Sequence, residues 1–192
     1  MIEKSKQKKL LIEVLNGDKH DQIPIWLMRQ AGRHLPEYKK LRLESENFLD
    51  FCYSPKLSVE ATIQPIRRYN LDAAILFSDI LVIPDALGQQ VEFVPGKGPI
   101  LKPITNVSSI KKLNQRKVLQ YLSPIYQAIE KIIDQLQMFS FNPSLIGFAG
   151  APWTVATYMI AGKGTKDQGP AHKFLKEDKD SFEMLINLLT EA

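Results

Sequence analysis

Three short apolar segments, separated by longer amphipathic stretches, dominate the pattern of the chain. The segments are residues 23–28, 71–77 and 144–149. Each is rich in Ile, Leu, Phe or Val and is followed by polar or small residues, which predicts a buried strand. Because longer helix-like stretches lie between them, we expect an α/β fold with a parallel sheet.

Two of the intervening stretches predict long helices. Residues 56–69 follow Ser54 and Pro55, a capping residue and a proline at the first helical position, and Pro65 is expected to kink or end this helix. Residues 115–137 carry apolar side chains at spacings of three and four, which is typical of one amphipathic helix.

Shorter features complete the pattern. An amphipathic helix is expected from Leu10 until Gly17 ends it, and residues 90–104 favour a hairpin inserted in a loop. A last helix, capped by Asp180 or Ser181, would run to the end of the sequence without a glycine, an asparagine or a basic last turn. Three parallel strands would also leave apolar edges exposed, so the sequence predicts part of a larger domain.

Composition narrows the class of protein. Of 192 residues, 44% are hydrophobic and 24% charged, which is typical of a globular protein. The net charge of +4 is not gathered into a basic cluster interleaved with aromatics, so nucleic acid is not an expected partner.

The single cysteine, Cys52, excludes an internal disulfide and a cysteine-based zinc site. No apolar run approaches the roughly 18 residues that span a bilayer, so we expect a cytoplasmic protein without a membrane partner.

Ligands of α/β folds gather at the carboxyl ends of parallel strands, so residues that follow the predicted strands are the first candidates for chemistry. Residues 29–33, with the sequence RQAGR, follow the first strand, Asp79 follows the second, and a helix that carries Tyr158 follows the third. Arginine can bind a carboxylate through two hydrogen bonds, and Gly32 favours a turn whose amides face a ligand. Two arginines, a carboxylate and a phenol would then meet at the carboxyl edge of the sheet.

Each candidate also has an ordinary structural interpretation. The arginines could lie on a solvated surface, Asp79 could cap a short helix that begins at Ile80, and Tyr158 could be a core aromatic. The three histidines are His20, His34 and His172. No two of them have metal-ligand spacing within one helix, so no zinc site is predicted.

Three blocks of sequence resemble the uroporphyrinogen decarboxylases of haem biosynthesis. They are residues 24–33 (PIWLMRQAGR) continuing through 36–38, residues 77–81 (FSDIL) with 86–88 (ALG), and residues 147–154 (GFAGAPWT) with Tyr158 and Met159. The blocks come in the family's order and at family-like separations. The resemblance covers essentially all 192 residues, but only about the first half of the family.

The resemblance implies a (β/α)₈ barrel of which residues 1–192 form the N-terminal part of a single domain. It also implies removal of CO₂ from the four acetate side chains of uroporphyrinogen III, giving coproporphyrinogen III. No metal or organic cofactor is implied, since protonation of the pyrrole ring beside the acetate makes the substrate its own electron sink. Family members are usually homodimers.

The resemblance further implies a role for each site residue. Arg29 and Arg33 would bind carboxylate arms, with the backbone of Gln30, Ala31 and Gly32 beside them. Asp79 would be catalytic, accepting hydrogen bonds from the pyrrole N–H groups and stabilising the cationic intermediate. Tyr158 would hydrogen-bond near the reacting acetate, and the general acid stays unassigned.

Two alternatives remain open at this stage. A corrinoid-dependent methyltransferase could use the same scaffold, although the RQAGR motif of residues 29–33 favours a decarboxylase. The chain could also be an inactive fragment that at most binds tetrapyrrole, because three strands should not close a barrel.

Overall fold

The computed structural model describes residues 8–28 and 33–192. Its described residues form two compact units. The first comprises the described part of Met1–Glu46 with Asp50–Ser78 and Pro124–Phe148, and the second comprises Asn47–Leu49, Asp79–Ser123 and Ala149–Ala192. The prediction that residues 1–192 belong to a single barrel domain stays a prediction.

Helices dominate the described part of the chain. In chain order they are α1 (Leu10–Leu15), α2 (Pro36–Arg42), α3 (Phe48–Tyr53), α4 (Pro55–Tyr69), α5 (Val82–Ala86), α6 (Val107–Ile110), a 3₁₀ turn (Gln115–Lys117), α7 (Val118–Tyr121), α8 (Ser123–Leu136), α9 (Pro152–Ala161), α10 (Gly169–Glu177) and α11 (Lys179–Glu191). The strands are β1 (Ala73–Ile75), β2 (Val91–Val94), β3 (Gly98–Leu101) and β4 (Ser144–Ile146).

The parallel pairing expected from the apolar segments is confirmed in the first unit. β1 and β4 are parallel neighbours, with Ala73 opposite Ser144 and Ile75 opposite Ile146. The Leu76 amide continues the ladder by donating to the Ile146 carbonyl at 3.0 Å. Each strand is three residues long. The apolar runs that predicted the strands, residues 71–77 and 144–149, extend beyond the residues that pair.

The first apolar segment is not the buried strand that its sequence predicts. Residues 23–28 contain no strand, and five of their side chains are more than a third exposed. Ile25 connects this segment to Asp72, the residue that precedes β1. The Ile25 carbonyl accepts from the Asp72 amide at 2.8 Å, and the Ile25 amide donates to the Asp72 carboxylate at 2.7 Å. Apolar composition alone does not place a segment inside a sheet, because burial also requires neighbours on both sides.

Local signals place α4 correctly at its start. The Ser54 hydroxyl accepts from the Leu57 amide, as expected of a capping residue. Pro65 does not end the helix, which continues to Tyr69 and stops where Asn70 adopts a left-handed conformation with φ of 51°. Pro65 is itself buried, so packing stabilises the helix where the proline removes a backbone donor.

The other predictions are partly confirmed. The hairpin is present as antiparallel β2 and β3, whereas the predicted helix over 115–137 is divided into three segments, the last beginning at Ser123 next to Pro124. The helix from Leu10 forms, but none of its residues is buried. The last helix is capped two or three residues earlier than expected, by the Asp178 carboxylate, which accepts from the Ser181 amide at 3.1 Å.

Candidate active site

The chain just after β1 is held in place at Phe77 by two hydroxyl groups of α4. Thr62 Oγ1 accepts from the Phe77 amide at 2.9 Å, and Ser58 Oγ donates to the Phe77 carbonyl at 2.6 Å. Thr62 and Ser58 are 2% and 1% exposed, so these bonds lie away from water. The backbone is therefore fixed two residues before Asp79 in the sequence.

Asp79 lies at the start of the second unit and is half-buried. Its Oδ1 accepts from the Leu81 amide at 2.9 Å, closing a local turn. Burial raises the pKa of the Asp79 carboxyl above its usual value, and the Leu81 hydrogen bond opposes this change only in part. Since α5 begins at Val82 without a side-chain cap, Asp79 supports a turn rather than capping the helix directly.

The segments that follow the second and third predicted strands touch within the second unit. A Cβ atom placed on Gly150 would lie 2.5 Å from Val155 Cγ2 and 3.0 Å from the Cβ of Ile80, the neighbour of Asp79. No side chain fits in such a space. Glycine is thus required where the loop after β4 passes the Asp79 turn.

Tyr158 lies on α9 in the second unit and is half-buried, so it is not an enclosed core residue. A Cβ atom on Gly164 would lie 3.2 Å from the Tyr158 hydroxyl oxygen and 3.3 Å from Cε1. The backbone of the loop after α9 therefore passes directly beside the phenol.

The arginine motif lies mostly outside the described residues, which include Arg33 but not Arg29, Gln30, Ala31 or Gly32. Arg33 is exposed and belongs to the first unit, whereas Asp79 and Tyr158 belong to the second. Burial raises the pKa of the Tyr38 phenol, and the positive charges of Arg33 and Arg42 act in the opposite direction. The convergence of the arginines with Asp79 stays a prediction.

One group of potential metal ligands occurs among residues 8–28 and 33–192. Donor atoms of Glu13, Asp18 and His20 all lie within 4.8 Å of one another. Glu13 Oε1 lies 3.0 Å from Lys8 Nζ and Glu13 Oε2 lies 3.3 Å from His20 Nε2, so both Glu13 oxygens already have partners within the protein. The group combines a helix with the turn after it, which a search within single helices misses.

Two further features were not anticipated from the sequence. The first is the pair of bonds from the Ser58 and Thr62 hydroxyls to the Phe77 backbone. The two residues are four positions apart on α4, a spacing that also occurs on ordinary helices. The Trp153 indole donates to Gln168 Oε1 at 2.7 Å, a contact between residues 15 positions apart. Neither contact has a local sequence signal.

Known proteins of one family match the chain along most of its length. The family model described as uroporphyrinogen decarboxylase (URO-D) matches residues 6–192. Uroporphyrinogen decarboxylases from Jannaschia sp. and Agrobacterium fabrum are 50% and 52% identical over 96% and 95% of this chain. These matches cover 53% and 52% of the two relatives, so the chain spans about half their length.

A solved structure shows the fold independently of close sequence identity. A methyltransferase from Methanosarcina mazei is 17% identical and matches with a TM-score of 0.68 over 94% of this chain and 51% of that one. This likeness supports the α/β fold of a partial (β/α)₈-type barrel. No helix among the described residues is both long and apolar enough to cross a membrane. The family match over residues 6–192 shows that the chain belongs to the uroporphyrinogen decarboxylase family.

Proposed function

We propose that this chain serves the decarboxylation of uroporphyrinogen III to coproporphyrinogen III, as a carboxy-lyase that needs no cofactor. The observation that carries the proposal is Asp79, a half-buried carboxylate with a raised pKa at the start of the second unit. Perturbed carboxyl groups concentrate at functional sites. Membership of the family and the contact between the Asp79 turn and the Gly150 loop support the same assignment.

The chemistry gives each residue a physical task. Loss of CO₂ leaves an electron pair that a protonated pyrrole ring accepts, so positive charge is present on the ring before the bond breaks. A fixed Asp79 carboxylate beside the pyrrole N–H groups stabilises that charge more than it stabilises the neutral substrate. Arg29 and Arg33 would bind the carboxylate arms, and Tyr158 would hydrogen-bond near the acetate that reacts.

The direct experiment incubates the chain with uroporphyrinogen III without oxygen. Products are oxidised to porphyrins and separated by their number of carboxyl groups. We expect species with seven, six, five and finally four carboxyl groups. Asp79→Asn should still bind the octacarboxylate but lose most turnover, and unchanged turnover would contradict the catalytic role.

A second experiment tests the arginine. Arg33→Ala should weaken binding of uroporphyrin, with eight carboxyl groups, more than binding of coproporphyrin, which has four. Lys39→Ala removes one exposed positive charge from α2 and is the matched control. Equal weakening of both porphyrins, or an equal effect of the control, would contradict a carboxylate-binding role.

The runner-up function is tetrapyrrole binding without turnover. The chain spans about half the length of the relatives that it matches. Tight binding of uroporphyrin by the 192-residue chain with no product would favour this function. A homodimer and a cytoplasmic location belong to the main proposal, and sedimentation and cell fractionation test them.

A further inference from the structure

The loop after α9, residues 162–168, is fixed at its first residue. Gly162 ends α9 in a left-handed conformation with φ of 71°, and its carbonyl accepts from the Leu101 amide at 2.8 Å. A Cβ atom there would lie 2.7 Å from Pro103 Cγ and 2.8 Å from the Leu101 oxygen. Only glycine fits this close approach to the hairpin.

The loop is fixed at its last residue by a side chain. Gln168 is left-handed, with φ of 54°, which is uncommon for a residue other than glycine, asparagine or aspartate. Its Oε1 accepts from the Trp153 indole at 2.7 Å. A strained backbone that is held by a specific contact points to a constraint on the site it borders.

The indole is itself held firmly. The Trp153 ring lies 5.1 Å from the His172 ring of α10 and 5.5 Å from the Phe182 ring of α11. Trp153 and Tyr158 lie on the same helix, α9. The bond to Gln168 therefore fixes the loop relative to the helix that carries Tyr158.

Between its two fixed ends, the loop lies against the phenol. A Cβ atom placed on Gly164 would lie 3.2 Å from the Tyr158 hydroxyl oxygen, so the loop backbone lies in close contact with the phenol. A loop that moved away would free the phenol to adopt other side-chain rotamers, and the hydroxyl would lose its defined position.

We infer that Gln168 is a positioning residue: through its hydrogen bond to Trp153 it holds the loop against Tyr158 and so fixes the hydroxyl that meets a carboxylate arm of the substrate. This inference rests on the proposed function for its substrate. It adds Trp153 and Gln168 to the residues that the site requires, although neither is assigned contact with the tetrapyrrole.

The first test needs no substrate. Gln168→Leu and Gln168→Glu carry the same backbone strain, but only Glu keeps an oxygen that can accept from the indole. Hydrogen exchange of the loop amides, read by mass spectrometry, should become about three- to tenfold faster in the Leu variant. The Glu variant should restore wild-type exchange. Equal exchange in both variants would overturn the positioning role.

The second test measures binding of uroporphyrin by fluorescence. Trp153→Phe keeps an aromatic ring but removes the donor, and should weaken binding about three- to tenfold. The same substitution made in a Tyr158→Phe background should cause little further loss, because both act on one hydroxyl. Glu177→Gln, an exposed residue of the following helix α10, is the control and should leave binding unchanged.

The two proposals fail in different ways. If the wild-type chain does not bind uroporphyrin, the proposed function fails while the exchange experiment still tests the loop. If the wild-type chain binds and Trp153→Phe weakens binding equally with and without the Tyr158 hydroxyl, the positioning role fails while the proposed function stands. If Gln168→Leu does not fold, exchange measured on Trp153→Phe decides the first test, and wild-type loop exchange in that variant would overturn the inference.

Discussion

Replacing Thr62 with valine isolates the contribution of the hydroxyl that binds the Phe77 amide, just after β1. Valine has nearly the same shape as threonine, so the substitution changes chemistry rather than volume. The variant loses the acceptor of the Phe77 amide, at 2.9 Å, and the donor to the Ser58 carbonyl, at 2.8 Å. Thr62 is 2% exposed, so water does not readily replace the lost acceptor.

The expected cost follows from the groups left without partners. A buried amide without an acceptor costs about 1–3 kcal/mol. The Ser58 carbonyl lies within α4 and has its ordinary helical partner, so its loss adds little. We expect Thr62→Val to lower the free energy of unfolding by about 1–3 kcal/mol, which for a chain of this length lowers Tm by about 2–12 °C.

Urea unfolding followed by circular dichroism measures this change. Thr190→Val is the matched control, because the Thr190 hydroxyl makes the same bond to a helical carbonyl, Ile186 at 2.8 Å, on an exposed surface. The control should change stability by less than about 0.5 kcal/mol. Equal effects of the two substitutions, or a wild-type stability for Thr62→Val, would refute the role given to the Phe77 amide.

Three further substitutions test other features. Asp79→Asn keeps the acceptor for the turn and removes a charge that burial disfavours, so the variant should be more stable than wild type at pH 7. Because the pKa of Asp79 is raised in the folded chain, this stability advantage should shrink as the pH falls through that pKa. It should vanish below about pH 4, the usual value for an aspartate, when stability is measured by urea titrations. Gly162→Ala should cost more stability than Gly96→Ala, since both glycines have positive φ but only Gly162 meets other atoms; equal costs would contradict the close approach. Met28→Lys should reduce binding of a hydrophobic dye more than Leu119→Lys, because Met28 lies among exposed apolar neighbours.

Features with a local cause were predictable from the sequence. The start of α4 follows from a serine and a proline in adjacent positions, and the hairpin follows from a glycine-rich turn between apolar residues. The parallel pairing of β1 with β4 follows from two apolar runs separated by a long helical stretch.

Features that depend on distant neighbours were not predictable. Residues 23–28 have the composition of a buried strand, yet five of their six side chains are exposed, since burial depends on what lies beside them. Pro65 was expected to disturb α4, but the residues around it are buried and the helix continues. The bond between Trp153 and Gln168 joins residues with no shared pattern.

The same distinction between local and distant causes applies to the candidate site. That Asp79 follows a strand is visible in the sequence, and so is the helix that carries Tyr158. The pKa of Asp79 depends on burial, and the surroundings of the phenol depend on a glycine six residues further along. The identity of candidate residues is therefore a sequence property, whereas their electrostatic state and position come from tertiary packing.

The sign of a stability change can separate the residues that hold the site from the residue that works in it. Thr62 satisfies a buried amide, so its removal should destabilise the chain. Asp79 carries a charge that its surroundings disfavour, so its neutralisation should stabilise the chain while turnover is lost. An ordinary structural carboxylate would show the reverse, because ionisation would then contribute to folding. If Asp79→Asn destabilises the chain at pH 7 and the loss grows with pH, Asp79 is a structural residue and the catalytic assignment loses its physical basis.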